Sequence, residues 1–326
     1  MFKNTILLKQ PIINCFKRRT ILDKINPILF DVSLRDGLQH AKPEDYPLSK
    51  KIDILQSILY SNMAQKIEIG SLVSSKFLPI MNDSLVLFNH AITQFHDIHQ
   101  RLESSRDLDD VSNIKIPKIY MLIPTIDKLR TALDHNISNF SFITSVSNEF
   151  QLCNTKKSVL DMKQDFKTMS EILIREPRSI RFQSKLYISC INNCPLSGKI
   201  DNDFILKEIL HYHTDFLFDE LCLSDTMGTL HIDDFMYIID NCMFFGIPAS
   251  KLSLHLHVKS ENIENIQEIL CYAFSKNINK FDVSSLETGG CSVTMKNVPT
   301  TNLTYDMFYK TLLKYIDRTI YFENYT

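Results

Sequence analysis

Short apolar runs recur along the chain, and each is followed by residues whose apolar positions return every three or four places. The runs are "PILFDVSL" (27–34), "KIEIGSLV" (66–73), "KIYMLIP" (118–124), "NFSFITSV" (139–146), "KLYISCI" (185–191), "ELCLSDT" (220–226), "LSLHLHV" (252–258) and "KFDVSS" (280–285). Their brevity and their β-branched and aromatic residues predict strands. Between them, Leu48 to Tyr60, Ile126 to Leu133, Phe204 to Tyr212, Ile232 to Phe244 and Glu261 to Phe274 carry helical spacing. Eight strand-and-helix alternations predict an α/β fold, a (β/α)8 TIM barrel, whose functional residues belong at the C-terminal ends of the strands. An open doubly wound sheet shares the alternation, but no GxGxxG opens a helix after the first run, so a dinucleotide fold lacks its phosphate-binding turn.

The connection containing "QRLESSRDLDDVSN" is longer and more polar than the others and predicts an extended helix with a solvated loop. Nothing marks a second domain. The barrel is therefore placed at 27–326 with a C-terminal helical extension, behind an arm at 1–26. That arm carries Lys3, Lys9, Lys17, Arg18 and Arg19, with no acid in its first 22 residues, a pattern open to two readings. It is either a mitochondrial targeting segment or an irregular arm lying on the barrel, and the compartment stays mitochondrial or cytoplasmic.

Composition narrows the function. With 326 residues, 44% of them hydrophobic, the chain can bury one large core. A net charge of -2 and a pI near 6.5 give no global attraction to nucleic acid and favour a small-molecule role. No apolar run is long enough to span a membrane. The eight cysteines are scattered through apolar segments, as reduced thiols in an intracellular protein would be, and "CINNC" has no second pair with which to hold zinc.

Strand alternation then selects the polar side chains that enter the barrel. In "LSLHLHV" the leucines share one face with Val258, and Ser253, His255 and His257 share the other. Glu68 alternates with Ile67 and Ile69 in the same way, and Asp225 ends its strand shortly before Gly228. In "DVSLRDGLQHAK", Arg35 and Asp36 stand side by side before Gly37. Read singly, these are a strand-end ion pair and histidines satisfied by backbone carbonyls. Read together, two imidazoles and a carboxylate at a barrel mouth form a set that can hold one divalent cation.

From Ile28 to Asp306 the chain resembles the DRE-TIM metallolyases, and among them the 3-hydroxy-3-methylglutaryl-CoA lyases. The resemblance rests on "RDGLQHAK", "IEIGSLVSSKFLPIMND", "YISCINNCPLSGKI", "LSDTMGTL", "HLH" and "GGC", in that order along the chain. It implies a barrel holding Mg2+ or Mn2+ through Asp36, His255, His257 and an asparagine, with Glu68 steadying the centre. It implies an acyl-CoA substrate split by a retro-Claisen step, with Arg35, Asp36, Glu68, Asp225, His255 and Cys291 as catalytic residues. Arg35 would face the enolate and Cys291 would return a proton to it. Gln39, Lys42 and Lys76 are assigned to coenzyme A, and relatives of this kind are commonly homodimers.

The chain departs from the family pattern in two places. Val258 replaces an aspartate after the histidine pair, and Glu287 and Thr288 replace residues of a glycine-rich lid. The ligand asparagine is Asn302 if "TNLTYD" is matched, with Asn297 as the alternative. Three readings follow: an active lyase, a related aldolase or condensing enzyme, and a degenerate barrel that binds without turnover. Leu38, where the synthases of the superfamily carry glutamate, and the lack of a regulatory domain after Thr326 set the expectation against a synthase.

Overall fold

The computed structural model describes residues 17–104, 116–177, 181–288 and 300–325, with side chains at 98–104 and 323–325 left aside. The strands in chain order are β1 (Ile28–Asp31), β2 (Lys66–Ser71), β3 (Lys118–Leu122), β4 (Asn139–Ser145), β5 (Gln183–Ser189), β6 (Asn193–Cys194), β7 (Gly198–Lys199), β8 (Glu220–Asp225), β9 (Leu252–Val258), β10 (Lys280–Val283) and β11 (Thr301–Asn302). Eight of them pair in parallel in the order β10-β1-β2-β3-β4-β5-β8-β9, and a β10–β9 pairing closes the ring. The fold is thus a closed (β/α)8 barrel, and each predicted run supplies one of its strands. β6 and β7 form a separate hairpin, while β11 lies antiparallel on the end of β9, with Asn302 opposite His257.

The outward strand faces, with Ile67, Ile69, Phe140, Phe142, Leu221 and Leu223 among them, pack against the helical layer in one continuous apolar cluster. Burying such side chains contributes about 1.5–3 kcal/mol each. The helices Leu48–Ser61, Ile126–Asp134, Asn202–Asp215, Ile232–Phe244 and Ile263–Ser275 fall where the spacing predicts them. Asn148–Thr155 and Val159–Arg175 are additional, and each starts at a serine: Ser147 accepts from Phe150 N, and Ser158 forms a capping box with Asp161. Helix Tyr305–Tyr325 buries Phe308, Leu312, Ile316 and Ile320 against the barrel wall. No helix among the described residues is long and apolar enough to cross a membrane.

The barrel interior departs from the branched aliphatic filling usual in this fold. Its small apolar cluster is Phe30, Val32 and Tyr120, and the remaining positions are largely polar or charged. Near the N-terminal ends of the strands, Glu220 takes Lys66 at 2.7 Å, Lys185 at 3.4 Å and Lys280 at 3.5 Å. Lys185 also pairs with Asp282 one layer higher, and its ammonium lies 3.8 Å above the Phe30 ring. Lys185, Glu220 and Asp282 are buried, so each is tolerable only because its neighbours neutralise it, while Lys66 and Lys280 are half-buried.

Candidate metal centre

At the C-terminal mouth, β1 runs into a tight loop instead of a helix. Val32 O accepts from both Arg35 N and Gly37 N, at 3.2 and 3.0 Å. A Cβ at Gly37 would stand 2.5 Å from the Ser33 carbonyl oxygen, so the loop needs glycine for its close backbone approach. The turn brings Arg35 and Asp36 together over the barrel axis. Arg35 Nε donates to Glu68 Oε2 at 2.5 Å and Nη1 to Asp36 Oδ1 at 2.7 Å, and the guanidinium covers the Tyr187 ring. Tyr187 OH donates to the same Glu68 oxygen at 3.2 Å.

Asp36, His255 and His257 converge, with one possible ligand atom from each lying within 4.8 Å of the others. Both Nε2 atoms stand 3.8 Å from Asp36 Oδ2. The opposite ring nitrogens are anchored: His255 Nδ1 lies 3.1 Å from Asp282 Oδ2, and His257 Nδ1 lies 2.8 Å from the Asp225 carbonyl oxygen. That arrangement makes Nδ1 the protonated nitrogen of each neutral ring and leaves Nε2 with its lone pair toward Asp36. Asn302 donates from Nδ2 to Asp36 Oδ2 at 3.0 Å.

The unsatisfied atoms test whether this set suits a cation. His257 Nε2 and Asn302 Oδ1 are buried and make no hydrogen bond among the described residues. Such atoms are costly to bury unless something takes their lone pairs. Two imidazole nitrogens with carboxylate and amide oxygens form a donor set that suits a divalent first-row metal or magnesium. Burial raises the Asp36 pKa, but the Arg35 charge and the two histidines more than reverse this, and the carboxyl lies well below its usual range. Burial lowers the His257 pKa, and the charge of Asp36 turns the net shift upward.

The structure brings Arg35, Asp36, Glu68, His255, His257 and Asn302 to one place. Gln39 belongs to the same mouth, where it accepts from Arg35 Nη1 at 3.4 Å. Lys42 and Lys76 are exposed on the loops after β1 and β2. The Asp225 carboxylate caps the following turn, accepting from Thr229 N and Leu230 N at 3.1 and 3.0 Å. Its contact with the centre is through its backbone, which holds His257. Cys291 and Asn297 lie outside the described residues. Tyr187 and Asp282 join the site without having been singled out from the sequence. The signal for both was the alternation that exposed the histidines, since "KLYISCI" and "KFDVSS" each turn alternate residues inward.

A cavity of about 50 Å³ opens beside the centre, lined by Arg35, Asp36, Tyr187 and both histidines and walled by Ile143 and Phe150. This is the position in which a TIM barrel carries its active site.

No family model matches the chain. It is 24% identical over 269 residues to the 3-hydroxy-3-isohexenylglutaryl-CoA/hydroxymethylglutaryl-CoA lyase of Pseudomonas aeruginosa, spanning 81% of this chain and 77% of that one. It is 24% identical over 283 residues to the hydroxymethylglutaryl-CoA lyase of Pseudomonas mevalonii, spanning 85% and 83%. The HMG-CoA lyase of Acinetobacter baumannii, solved with coenzyme A and 3-methylmalate, superposes with a TM-score of 0.69 over 89% of this chain and 88% of that one, at 21% identity. The fold is a (β/α)8 barrel with a carboxylate-histidine cluster at its C-terminal mouth, and these lyases share the barrel. In sequence the chain is similar to the hydroxymethylglutaryl-CoA lyases over about four fifths of its length.

Proposed function

We propose that the protein is a divalent-metal-dependent carbon-carbon lyase that splits 3-hydroxy-3-methylglutaryl-CoA, or a close 3-hydroxyacyl-CoA, into acetoacetate and acetyl-CoA. The observation that carries this reading is the buried convergence of Asp36, His255, His257 and Asn302 directly beside Arg35. In the retro-Claisen step the tertiary hydroxyl loses its proton, the adjacent C-C bond breaks, and the electron pair becomes a thioester enolate. Mg2+ or Mn2+ held by those four residues would polarise the hydroxyl and lower its pKa.

The chain's own groups supply the rest. Asp36 stays ionised at neutral pH and offers an oxygen ligand. Arg35 is a permanent cation locked between Glu68 and Asp36, so it meets the enolate oxygen without reorganising. Tyr187, kept a phenol by burial and by the charges of Asp282 and Glu68, orients Glu68. The Cys291 thiol is assigned the proton that converts the enolate to acetyl-CoA. Gln39, Lys42 and Lys76 are assigned to the coenzyme.

The test is acetoacetate release by the purified protein with Mg2+ or Mn2+ and a reductant. Wild type should turn over, and Asp36→Asn and Cys291→Ala should each lose about 100-fold or more in kcat. No release from wild type that still binds Mn2+ would assign the barrel to binding without turnover on this substrate.

A further inference from the structure

The histidines of the centre are held in two different ways. His257 is fixed by a main-chain carbonyl, whereas His255 is fixed by a side chain, Asp282, which belongs to a chain of charges reaching the far end of the barrel. Its steps are Lys66 and Lys280 on Glu220, Glu220 on Lys185, Lys185 on Asp282, and Asp282 on His255. Lys185 and Asp282 are almost wholly buried, and the catalytic scheme gives neither a contact with substrate. Lys185 also lies over the Phe30 and Tyr187 rings, at 3.8 and 4.7 Å from their centroids, so both aromatic faces hold the ammonium in place.

We propose that Lys185 and Asp282 are positioning residues for the cation site: Lys185 keeps Asp282 an anion, and Asp282 fixes the His255 ring with its proton on Nδ1 and its Nε2 lone pair turned to Asp36. The two carboxylate oxygens divide the work, Oδ1 facing Lys185 and Oδ2 facing His255. An anion accepting the Nδ1 proton makes Nε2 a stronger donor to a metal and removes the alternative tautomer. Asparagine at 282 would keep the shape and lose the charge, and its amide would tolerate either tautomer.

The inference rests on the reading of Asp36, His255 and His257 as a metal site, and the experiment separates the two. Mn2+ binding to the purified full-length protein is measured by calorimetry without substrate, for wild type, Asp282→Asn, Lys185→Met and Lys280→Met. The expected result is a loss of about 10–100-fold in Mn2+ affinity for the first two variants, at retained thermal unfolding, and wild-type affinity for Lys280→Met. In parallel, long-range proton-nitrogen spectra of metal-free wild type read the His255 tautomer, which needs no variant to fold. A wild type that binds no Mn2+ overturns the metal reading, and the tautomer still decides the positioning. An Nε2-protonated His255, or folded Asp282→Asn with wild-type affinity, overturns the proposal.

Discussion

At the scale of single residues, the site turns on which asparagine completes it. Asn302 is placed by main-chain pairing with β9 and already donates to Asp36, so its Oδ1 is the atom available to a cation. Asn302→Ala should therefore lower Mn2+ affinity about 10-fold or more in equilibrium dialysis, while Asn297→Ala leaves it unchanged. The reverse result would move the fourth ligand to Asn297. Glu68, His255 and His257 were legible in the sequence because alternation fixes the face of each residue once the strand is known, and Arg35 and Asp36 because opposite charges stand side by side before Gly37. Lys185 and Asp282 obey the same rule, yet they are 97 residues apart and meet only across the closed barrel. Their pairing is a product of ring closure that strand patterns do not carry.

At the scale of elements, the loop after β1 does the most for function. Gly37→Ala would force the Ser33 carbonyl aside and shift the backbone that presents Arg35 and Asp36. The expected outcome is a stability loss of about 1–3 kcal/mol in urea unfolding, together with weaker Mn2+ binding. Unchanged values of both would show that the loop relaxes freely. The eight barrel strands were legible because each is a short run rich in β-branched and aromatic residues, set between stretches of helical spacing. Helix Val159–Arg175 was not, because exposed Leu160 and Ile174 blur a stripe whose buried members are Met162, Phe166 and Met169. β11 has two residues and no pattern of its own, and it exists because the end of β9 offers it main-chain partners.

At the scale of the whole molecule, buried carboxyls set the response to acid. Burial raises the pKa of Asp36, Glu220 and Asp282, but Arg35 beside the first and Lys185 beside the other two more than reverse it, and all three are held below the usual range. The folded state then binds fewer protons than the unfolded chain. This stabilisation is present at neutral pH and is lost as the pH falls below about 4.5, the ordinary glutamate value. Asp31 has the opposite sign: burial lifts it from 3.8 to about 6, against its bonds to Ser33 and Tyr305. Its contribution is complete below 3.8 and disappears as the pH rises through 6. Relative to wild type, Asp31→Asn should gain up to about 3 kcal/mol between pH 4 and pH 7, read as a widening gap in urea midpoints. A gap that does not change with pH would rule out a titrating Asp31.

The charges that fill the barrel also settle its electroneutrality. Four cations, Arg35, Lys66, Lys185 and Lys280, face four anions, Asp36, Glu68, Glu220 and Asp282, so these eight groups balance one another. Under the proposed function, a dication at the mouth would meet Asp36 and Asp282 already paired with Arg35 and Lys185. On the same proposal, an acyl group would bring one carboxylate and, once its hydroxyl proton has left, a second negative charge that C-C cleavage moves onto the enolate, so the two together would offset the cation.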